Sequence, residues 1–248
     1  MTEEIIDYDA LKKRGFLKQR QDGFFVLRTR MSSGIYTKEQ LVELAEIAQR
    51  YARGFVHLTI RQGIEIPFIR QEDISHVEKE LENTGISVGT SGPRLRTTTC
   101  CPGNNWCKAG LVDTFSLAER IEKELHLKCG LDLPHKFKIA ISGCPNACTR
   151  VQFSEIGIHG QIDVADPNRR MGYAVYLAGC AGRTPRTGFK LNKIFSGDQI
   201  LSVVGSVVKF FQENANAKQR LALLVEDFGR DNFLRYLGFG EEVAERNT

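Results

Sequence analysis

The sequence FKIAISGCPNAC, residues 137–148, begins as a strand and ends in a pair of cysteines. Phe137, Ile139 and Ile141 alternate with small or polar residues, a pattern typical of a strand with one buried face. The strand runs directly into Cys144-Pro-Asn-Ala-Cys148, a C-x3-C pair. Gly and Pro beside the cysteines hold such a loop open, so that backbone N–H groups can point at the sulfur atoms. The segment therefore predicts a ligand-binding loop at the end of a strand.

A second pair, Cys101-Pro-Gly-Asn-Asn-Trp-Cys107, lies about 40 residues upstream. Two close pairs can supply the four thiolates of an iron–sulfur cluster. Zinc also takes four cysteines, but its usual first spacing is x2 to x4, so C-x5-C is a mild argument against zinc. Cys129 and Cys180 fit the alternative role of buried structural cysteines better than the two pairs do.

Two lysines precede the C-x3-C loop on the same predicted strand. Lys136 and Lys138 are two residues apart, so both side chains point to one face of the strand while Phe137 takes the other. Like charges this close repel each other unless an anion or water lies between them. An exposed strand face that discourages aggregation is the alternative role. Their position six residues before Cys144 favours an anion site instead.

The N-terminal part of the chain has the pattern of a split β-α-β-β-α-β unit. FFVLRTR predicts a strand, and Thr37 with Gln40 forms a capping box at the start of a helix. FVHLTIR alternates as a second strand, with Val56, Leu58 and Ile60 expected to face inward. The remaining predicted elements are a strand over 64–68, a helix marked by Ile74, Val77 and Leu81, and a strand over 86–90. We expect a first lobe over residues 1–90.

The rest of the chain predicts a second lobe over residues 91–248. Leu117, Ile121 and Leu125 mark a helix, and strands are expected near 156–162 and 173–179. Apolar spacing then predicts a long helix carrying Ile200, Val203, Val204, Val207 and Phe211, and a further helix carrying Leu221, Leu224 and Val225. The expected fold class is α+β, with a ferredoxin-like lobe followed by an α/β lobe.

Composition excludes several classes of protein. The chain has 248 residues, of which 42% are hydrophobic, and its formal net charge is +4. This composition excludes a disordered chain, and the charge is too balanced to argue for nucleic acid. No apolar run reaches the length of a membrane span, and the N-terminal residues carry no export signal. Seven cysteines without an export signal favour a reducing, cytoplasmic protein rather than a disulfide framework.

The motifs taken together resemble those of the siroheme-dependent sulfite and nitrite reductases. SGCPNACTR after an upstream C-x5-C is similar to the family's cluster-binding sequence. FFVLRTRMSSG, HLTIRQGIEI, RTTTCCPG and LPHKFK resemble its paired-arginine strand, T-x-R-Q motif, arginine before the first cysteine and Lys-x-Lys strand. The resemblance covers roughly residues 24–235, and the order and spacing of the motifs are highly specific.

The resemblance implies two cofactors and a role for each matching residue. Siroheme and a 4Fe–4S cluster are expected, with the cluster held by Cys101, Cys107, Cys144 and Cys148 and joined to siroheme through Cys148. Four cations are expected to bind the substrate anion: Arg61, Arg96, Lys136 and Lys138. Arg94 is the alternative to Arg96 if the loop register differs. Five residues are expected to contact siroheme: Arg28, Arg30, Gln62, Asn146 and Arg150.

The better-known members of this family have two homologous halves in one chain, whereas this chain has one. A symmetric homodimer that shares the cations across its interface, or a monomer that uses them in cis, would account for the difference. The sequence also lacks a GxGxxG motif and a flavin region, so an external, ferredoxin-like electron donor is expected. The basic segment 12–20 is a candidate docking site for an acidic donor.

The substrate is expected to be sulfite, with nitrite as the alternative. Lys-x-Lys before the cysteines goes with sulfite in the assimilatory members of the family, although the correlation is loose. Two other classes remain open: a cluster-only electron-transfer or sensing module, and a zinc-stabilised module that binds RNA. The paired cations argue against the first, since a bare cluster does not need them, and the modest charge argues against the second.

Overall fold

The computed structural model describes residues 7–240. The first six residues, part of the segment in which no export signal is predicted, and residues 241–248 lie outside the described part. The chain divides into two compact units, the first ending at Gly92 and the second beginning at Pro93. Both units combine helices with a sheet, which confirms the α+β fold class predicted from the sequence.

The first unit is a sheet with helices. Its elements are α1 (Tyr8–Lys13), β1 (Phe16–Lys18), β2 (Phe24–Arg30), α2 (Lys38–Tyr51), β3 (His57–Leu58), β4 (Ile64–Arg70), α3 (Ile74–Leu81) and β5 (Ser87–Val88). The strand order is β1-β2-β4-β3, and β5 also pairs with β2. From β2 onward the elements follow the predicted β-α-β-β-α-β order. The short α1 and β1, which precede it, were not predicted.

Local sequence accounts for how α2 begins. The Thr37 hydroxyl accepts from the Gln40 backbone N–H at 3.3 Å, and the Gln40 side chain accepts from the Thr37 N–H at 3.0 Å, as the predicted capping box requires. The helix buries Leu44, Ile47 and Ala48 against the sheet. This packing closes the core of the first unit.

The predicted strand over 55–61 is wrong in length and in orientation. Only His57 and Leu58 form β3, which lies at the edge of the sheet. Leu58 is 72% exposed and Ile60 is 82% exposed, so these side chains do not face a core. The backbone turns at once: the Gln62 N–H donates to the Thr59 carbonyl at 3.1 Å. The alternation was correctly recognised, but nothing in the described part of this unit covers its apolar face.

The second unit contains a mixed sheet and four helices among the described residues. Its elements are β6 (Thr99–Cys100), α4 (Thr114–Glu124), β7 (Ile139–Ser142), β8 (Ile156–Ile162), β9 (Met171–Leu177), β10 (Phe189–Lys190), α5 (Gly197–Asn214), α6 (Leu221–Phe228) and α7 (Arg230–Tyr236). The strand order is β10-β9-β8-β7-β6. Strands β6, β7 and β8 are parallel, and the pairs β8–β9 and β9–β10 are antiparallel.

Helix α5 forms a large part of the second unit's core. The five residues predicted to mark it are all buried: Ile200, Val203, Val204, Val207 and Phe211. The three that mark α6 are also buried: Leu221, Leu224 and Val225. Between residues 7 and 240, no helix combines the length and the apolar character needed to cross a membrane.

Candidate functional site

The two cysteine pairs lie at the same edge of the second unit's sheet. Strands β6 and β7 are parallel neighbours, with Cys100 opposite Ile141. Cys101 follows β6 directly, Cys144 follows β7 after one glycine, and the Cys101 N–H donates to the Ile141 carbonyl at 3.2 Å. Because the carboxyl ends of parallel strands meet at one edge, the two loops start side by side.

Glycines allow the two loops to touch through their backbones. A Cβ atom on Gly143 would lie 2.5 Å from the Gly103 Cα, and one on Gly110 would lie 2.3 Å from the Gly103 carbonyl carbon. Gly160 on β8 packs as tightly, since its Cβ would lie 2.4 Å from the Gly143 oxygen. The Leu111 N–H also donates to the Gly143 carbonyl at 2.8 Å. No larger residue fits at these positions without moving the backbone.

The donor chemistry of these loops fits an iron–sulfur cluster. The Gly143 N–H donates to the Cys101 Sγ at 3.1 Å, the kind of N–H···S bond that stabilises a thiolate ligand. Cys144 is buried and Cys101 half-buried, whereas Cys107 and Cys148 are exposed. Among residues 7–240, no three His, Cys, Asp or Glu side chains are grouped closely enough for a single metal ion. A 4Fe–4S cluster spreads its four thiolates over four irons and does not need that geometry.

Hydroxyl groups that were not selected from the sequence hold both loops in place. Ser142 Oγ and Thr149 Oγ1 are 2.8 Å apart, and the Thr149 N–H donates to Ser142 Oγ at 3.2 Å, which closes the C-x3-C loop. The buried Thr114 hydroxyl donates to the Cys101 carbonyl. Ala147 and Arg150, on either side of Cys148, have φ values of 50° and 56°. Such left-handed residues are retained where a loop must hold a special shape.

The predicted lysine pair lies beside Arg96, just before β7 rather than on it, because β7 begins at Ile139. Lys136 and Lys138 are half-buried, whereas Phe137 between them is fully buried, so both lysines share one face. The Arg96 N–H donates to the Phe137 carbonyl at 2.8 Å. Arg94, the alternative to Arg96, is only 2% exposed and donates its Nε to the Asp132 carboxylate at 2.9 Å. This ion pair gives Arg94 a structural role and leaves Arg96 as the better candidate.

The pKa of His135 responds to the positive charges near it. Burial lowers the pKa of His135, and the charges of Arg220, Lys136 and Arg96 lower it further. The ring is therefore neutral at pH 7, because its ordinary pKa is 6.5. Lys136 and Arg96 both act on this half-buried imidazole, which is the positive environment that an anion site needs. Neither His135 nor Arg220 was selected from the sequence.

Asn146 and Arg150 are exposed in the C-x3-C loop and its continuation. In this position they can contact a ligand bound at the loop. Their expected contacts with siroheme remain predictions.

The first unit brings its own predicted residues together. Arg28 and Arg30 share the partly exposed face of β2. Arg61 lies in the turn after β3, not on a strand, and Gln62 in that turn has a φ of 61°. A Cβ on Gly63 would lie 2.4 Å from the Thr29 carbonyl oxygen, so this turn packs directly against β2. Arg30, Arg61 and Gln62 therefore belong to neighbouring segments of backbone.

Carboxylates compete for some of these cations. Arg28 donates its Nε to Glu65 at 2.8 Å, and His57 contacts the same carboxylate at 3.1 Å. The basic segment 12–20 is also paired: Arg14 donates to Glu78 at 2.6 Å, and the Lys18 Nζ lies 3.7 Å from Asp22. These pairs offset part of the segment's positive charge, and the docking of an acidic donor there remains a prediction.

The lowered pKa values of two histidines predict how the free energy of unfolding depends on pH. Burial is the largest cause that lowers the pKa of His135 and of His159, whereas an unfolded chain returns both to about 6.5. Below that value the unfolded chain binds more protons, so the free energy of unfolding should fall as pH drops through 6.5 and level off below the folded pKa values. His135→Gln and His159→Gln should each flatten this dependence in denaturant titrations. The exposed His76→Gln is the control, and an equal slope in all variants would contradict the prediction.

Fold and site together define a class: an α+β protein with two cysteine loops at the carboxyl end of a parallel strand pair. Two family models then match the chain. Residues 91–246 match the nitrite and sulphite reductase 4Fe-4S domain, and residues 17–84 match the nitrite/sulfite reductase ferredoxin-like half domain. The chain belongs to the nitrite and sulfite reductase family, which confirms the resemblance seen in its motifs.

Named relatives include reductases of both anions. The coenzyme F420-dependent sulfite reductase of Methanocaldococcus jannaschii is 31% identical over 98% of this chain and 46% of its own length. The assimilatory ferredoxin-dependent nitrite reductase of Haloferax mediterranei is 28% identical over 97% of this chain, and again 46% of the relative is covered. The chain thus spans less than half the length of these curated relatives.

Solved structures share the fold. Dissimilatory sulfite reductase I superposes with a TM-score of 0.78 at 16% identity, covering 91% of this chain and 72% of that one. The Mycobacterium tuberculosis NirA protein superposes with a TM-score of 0.76 at 21% identity, covering 90% of this chain and 44% of NirA. At these identities the likeness supports the architecture alone.

Sulfite and nitrite reductases of this family carry siroheme and a 4Fe–4S cluster. Membership in the family therefore confirms the two predicted cofactors. The donor set fits both groups. Thiols at the end of the sheet suit the cluster, and guanidinium and ammonium groups suit the carboxylates of siroheme.

Proposed function

We propose that this chain reduces sulfite to sulfide, using siroheme, a 4Fe–4S cluster and electrons from a separate carrier protein. The observation that carries the proposal is that the Arg96 N–H donates to the Phe137 carbonyl at 2.8 Å, between the half-buried Lys136 and Lys138, in the unit that also carries the cysteine loops. A small oxyanion needs fixed cationic donors of this kind.

The proposed cluster ligands are Cys101, Cys107, Cys144 and Cys148. The residues proposed to hold siroheme are Arg28, Arg30, Gln62, Asn146 and Arg150. The two cofactors supply the electron-transfer chemistry, and the protein supplies orientation, charge and protons.

The chain's own cations would bind and activate the anion. Arg61, Arg96, Lys136 and Lys138 are proposed to hold the oxyanion and to stabilise the charge that develops as oxygen leaves. Each lysine ammonium also holds a proton that a departing oxygen needs.

Sulfite is preferred over nitrite because of Lys136-Phe137-Lys138 and because a sulfite reductase at 31% identity matches 98% of the chain. Two nitrite reductases are 28% identical to the chain, so nitrite is the second candidate substrate. Comparing kcat/KM for the two anions distinguishes them, and a clear preference for nitrite would overturn the choice of sulfite.

Three further parts of the proposal concern the protein's surroundings. The electron donor is proposed to be a ferredoxin-like carrier. A homodimer that shares the substrate cations stays a prediction. A reducing, cytoplasmic location fits seven cysteines of which none forms a disulfide.

The spectrum of anaerobically purified protein tests the proposed function. We expect siroheme absorption bands together with five irons per chain, four in the cluster and one in siroheme, and four acid-labile sulfides. The bands should change when sulfite is added. Cys144→Ala and Cys148→Ala should lose the iron, whereas Cys180→Ala should keep it, because Cys180 is buried on a separate loop. A cluster without siroheme bands, even after siroheme is supplied, would favour an electron-transfer or sensing module.

A further inference from the structure

A buried carboxylate lies behind the paired lysines. Glu155 is fully buried, and its Oε2 accepts from the Lys138 backbone N–H at 2.8 Å. The neighbouring Ile156 N–H donates to the Lys138 carbonyl at 3.2 Å. The Lys138 side chain also reaches this segment, since its Nζ lies 3.5 Å from the Phe153 carbonyl. Lys138 is therefore attached through both its backbone and its side chain to the segment that follows the C-x3-C loop.

Arg220 neutralises the charge of Glu155 in an ion pair. Its Nε donates to Glu155 Oε1 at 3.0 Å and its Nη2 donates to the same oxygen. Its Nη1 donates to the Ala181 carbonyl at 3.3 Å, and its side chain is 12% exposed. An ion pair this buried often contributes little to stability compared with apolar residues of similar size. Its presence next to the lysines therefore calls for a different explanation.

We propose that Glu155, held by Arg220, is a positioning residue that fixes Lys138 for anion binding. Glu155 gives the Lys138 N–H an acceptor at the point where β7 and β8 begin to pair. The ion pair is neutral as a whole, so it orders the lysine backbone without reducing the net positive charge of the site. This inference rests on the proposed function, because it concerns the same anion site.

Two double variants separate positioning from charge and from stability. Glu155→Gln/Arg220→Met and Glu155→Met/Arg220→Met both remove one negative and one positive charge. They differ in one respect: glutamine still offers an oxygen to the Lys138 N–H, and methionine does not. Both should fold, since replacing a buried ion pair with uncharged residues is often tolerated.

The first readout is anion affinity in the holoenzyme, measured by titrating sulfite and, separately, nitrite against the siroheme bands. These bands report only loaded molecules, so differences in loading do not affect the dissociation constant. We expect the glutamine variant to bind like the parent and the methionine variant to bind about tenfold more weakly, because a small misplacement can cost up to about a hundredfold. Equal affinity in the two double variants would overturn the inference.

The second readout does not depend on cofactors or activity. Amide hydrogen exchange of a peptide containing Lys138 should be faster in the methionine variant than in the glutamine variant. Arg186→Met/Glu226→Met is the matched control, because it removes another ion pair of the same unit, in which the Arg186 Nη2 donates to Glu226 at 3.1 Å. The control should change neither readout. A parent that binds neither anion would refute the proposed function and this inference with it, whereas unchanged exchange would refute the inference alone.

Discussion

Gly143→Ala should purify with background levels of iron and acid-labile sulfide. The new Cβ would lie 2.5 Å from the Gly103 Cα, and that neighbour is backbone rather than a flexible side chain. The two cysteine loops would have to separate, which also displaces the Gly143 N–H from the Cys101 Sγ. Overpacking of this kind typically costs about 1–3 kcal/mol, and here it acts at the ligands themselves.

Gly205→Ala is the control for this variant. Gly205 lies inside α5, and its added Cβ would lie 3.7 Å from the Leu125 Cδ2, an ordinary contact. Alanine is favoured over glycine within a helix by about 0.5–1 kcal/mol, so this variant should retain its iron and melt no lower than the parent. Iron content and thermal unfolding are measured on both. Full iron content in Gly143→Ala would show that the loops do not need their backbone contact.

Local signals predicted the elements that depend on neighbours in sequence. The strand over 24–30, the capping box of Thr37 and Gln40, and the apolar stripe of α5 all follow from patterns within a few residues, and the structure reproduces them. Spacing already suggested that the two cysteine pairs supply one cluster, and the resemblance added siroheme as the second cofactor. Parallel pairing of β6 and β7 places their loops side by side.

The missed features depend on contacts across the fold. Alternation identified Leu58 and Ile60 as one face of an extended segment, but a pattern cannot say whether another element covers that face. The Glu155–Arg220 pair joins residues 65 positions apart, and neither lies in a recognisable motif. The ion pair of Arg94 with Asp132 also joins distant positions, so the sequence could not reveal the structural role of Arg94.

Lys136→Gln and Arg96→Gln should each reduce kcat/KM for sulfite by about a hundredfold or more, the usual effect of removing one donor that stabilises developing charge. Both side chains act on His135, and the Arg96 N–H also donates to the carbonyl of Phe137, between the two lysines. Removing either charge weakens the field that holds the anion. Steady-state kinetics with a small-molecule reductant measure this effect without involving the protein donor.

The same variants should raise the pKa of His135. Lys136 and Arg96 both lower it, and with either charge gone the protonated ring becomes less unfavourable, so its pKa moves back toward 6.5. Exchange of the imidazole C2 hydrogen, followed by mass spectrometry across pH, measures this pKa in the loaded enzyme. Lys209→Gln is the control, because Lys209 is exposed on α5 and pairs with Glu213. If activity is lost but the pKa of His135 does not change, Lys136 and Arg96 do not act at His135, and the prediction is contradicted.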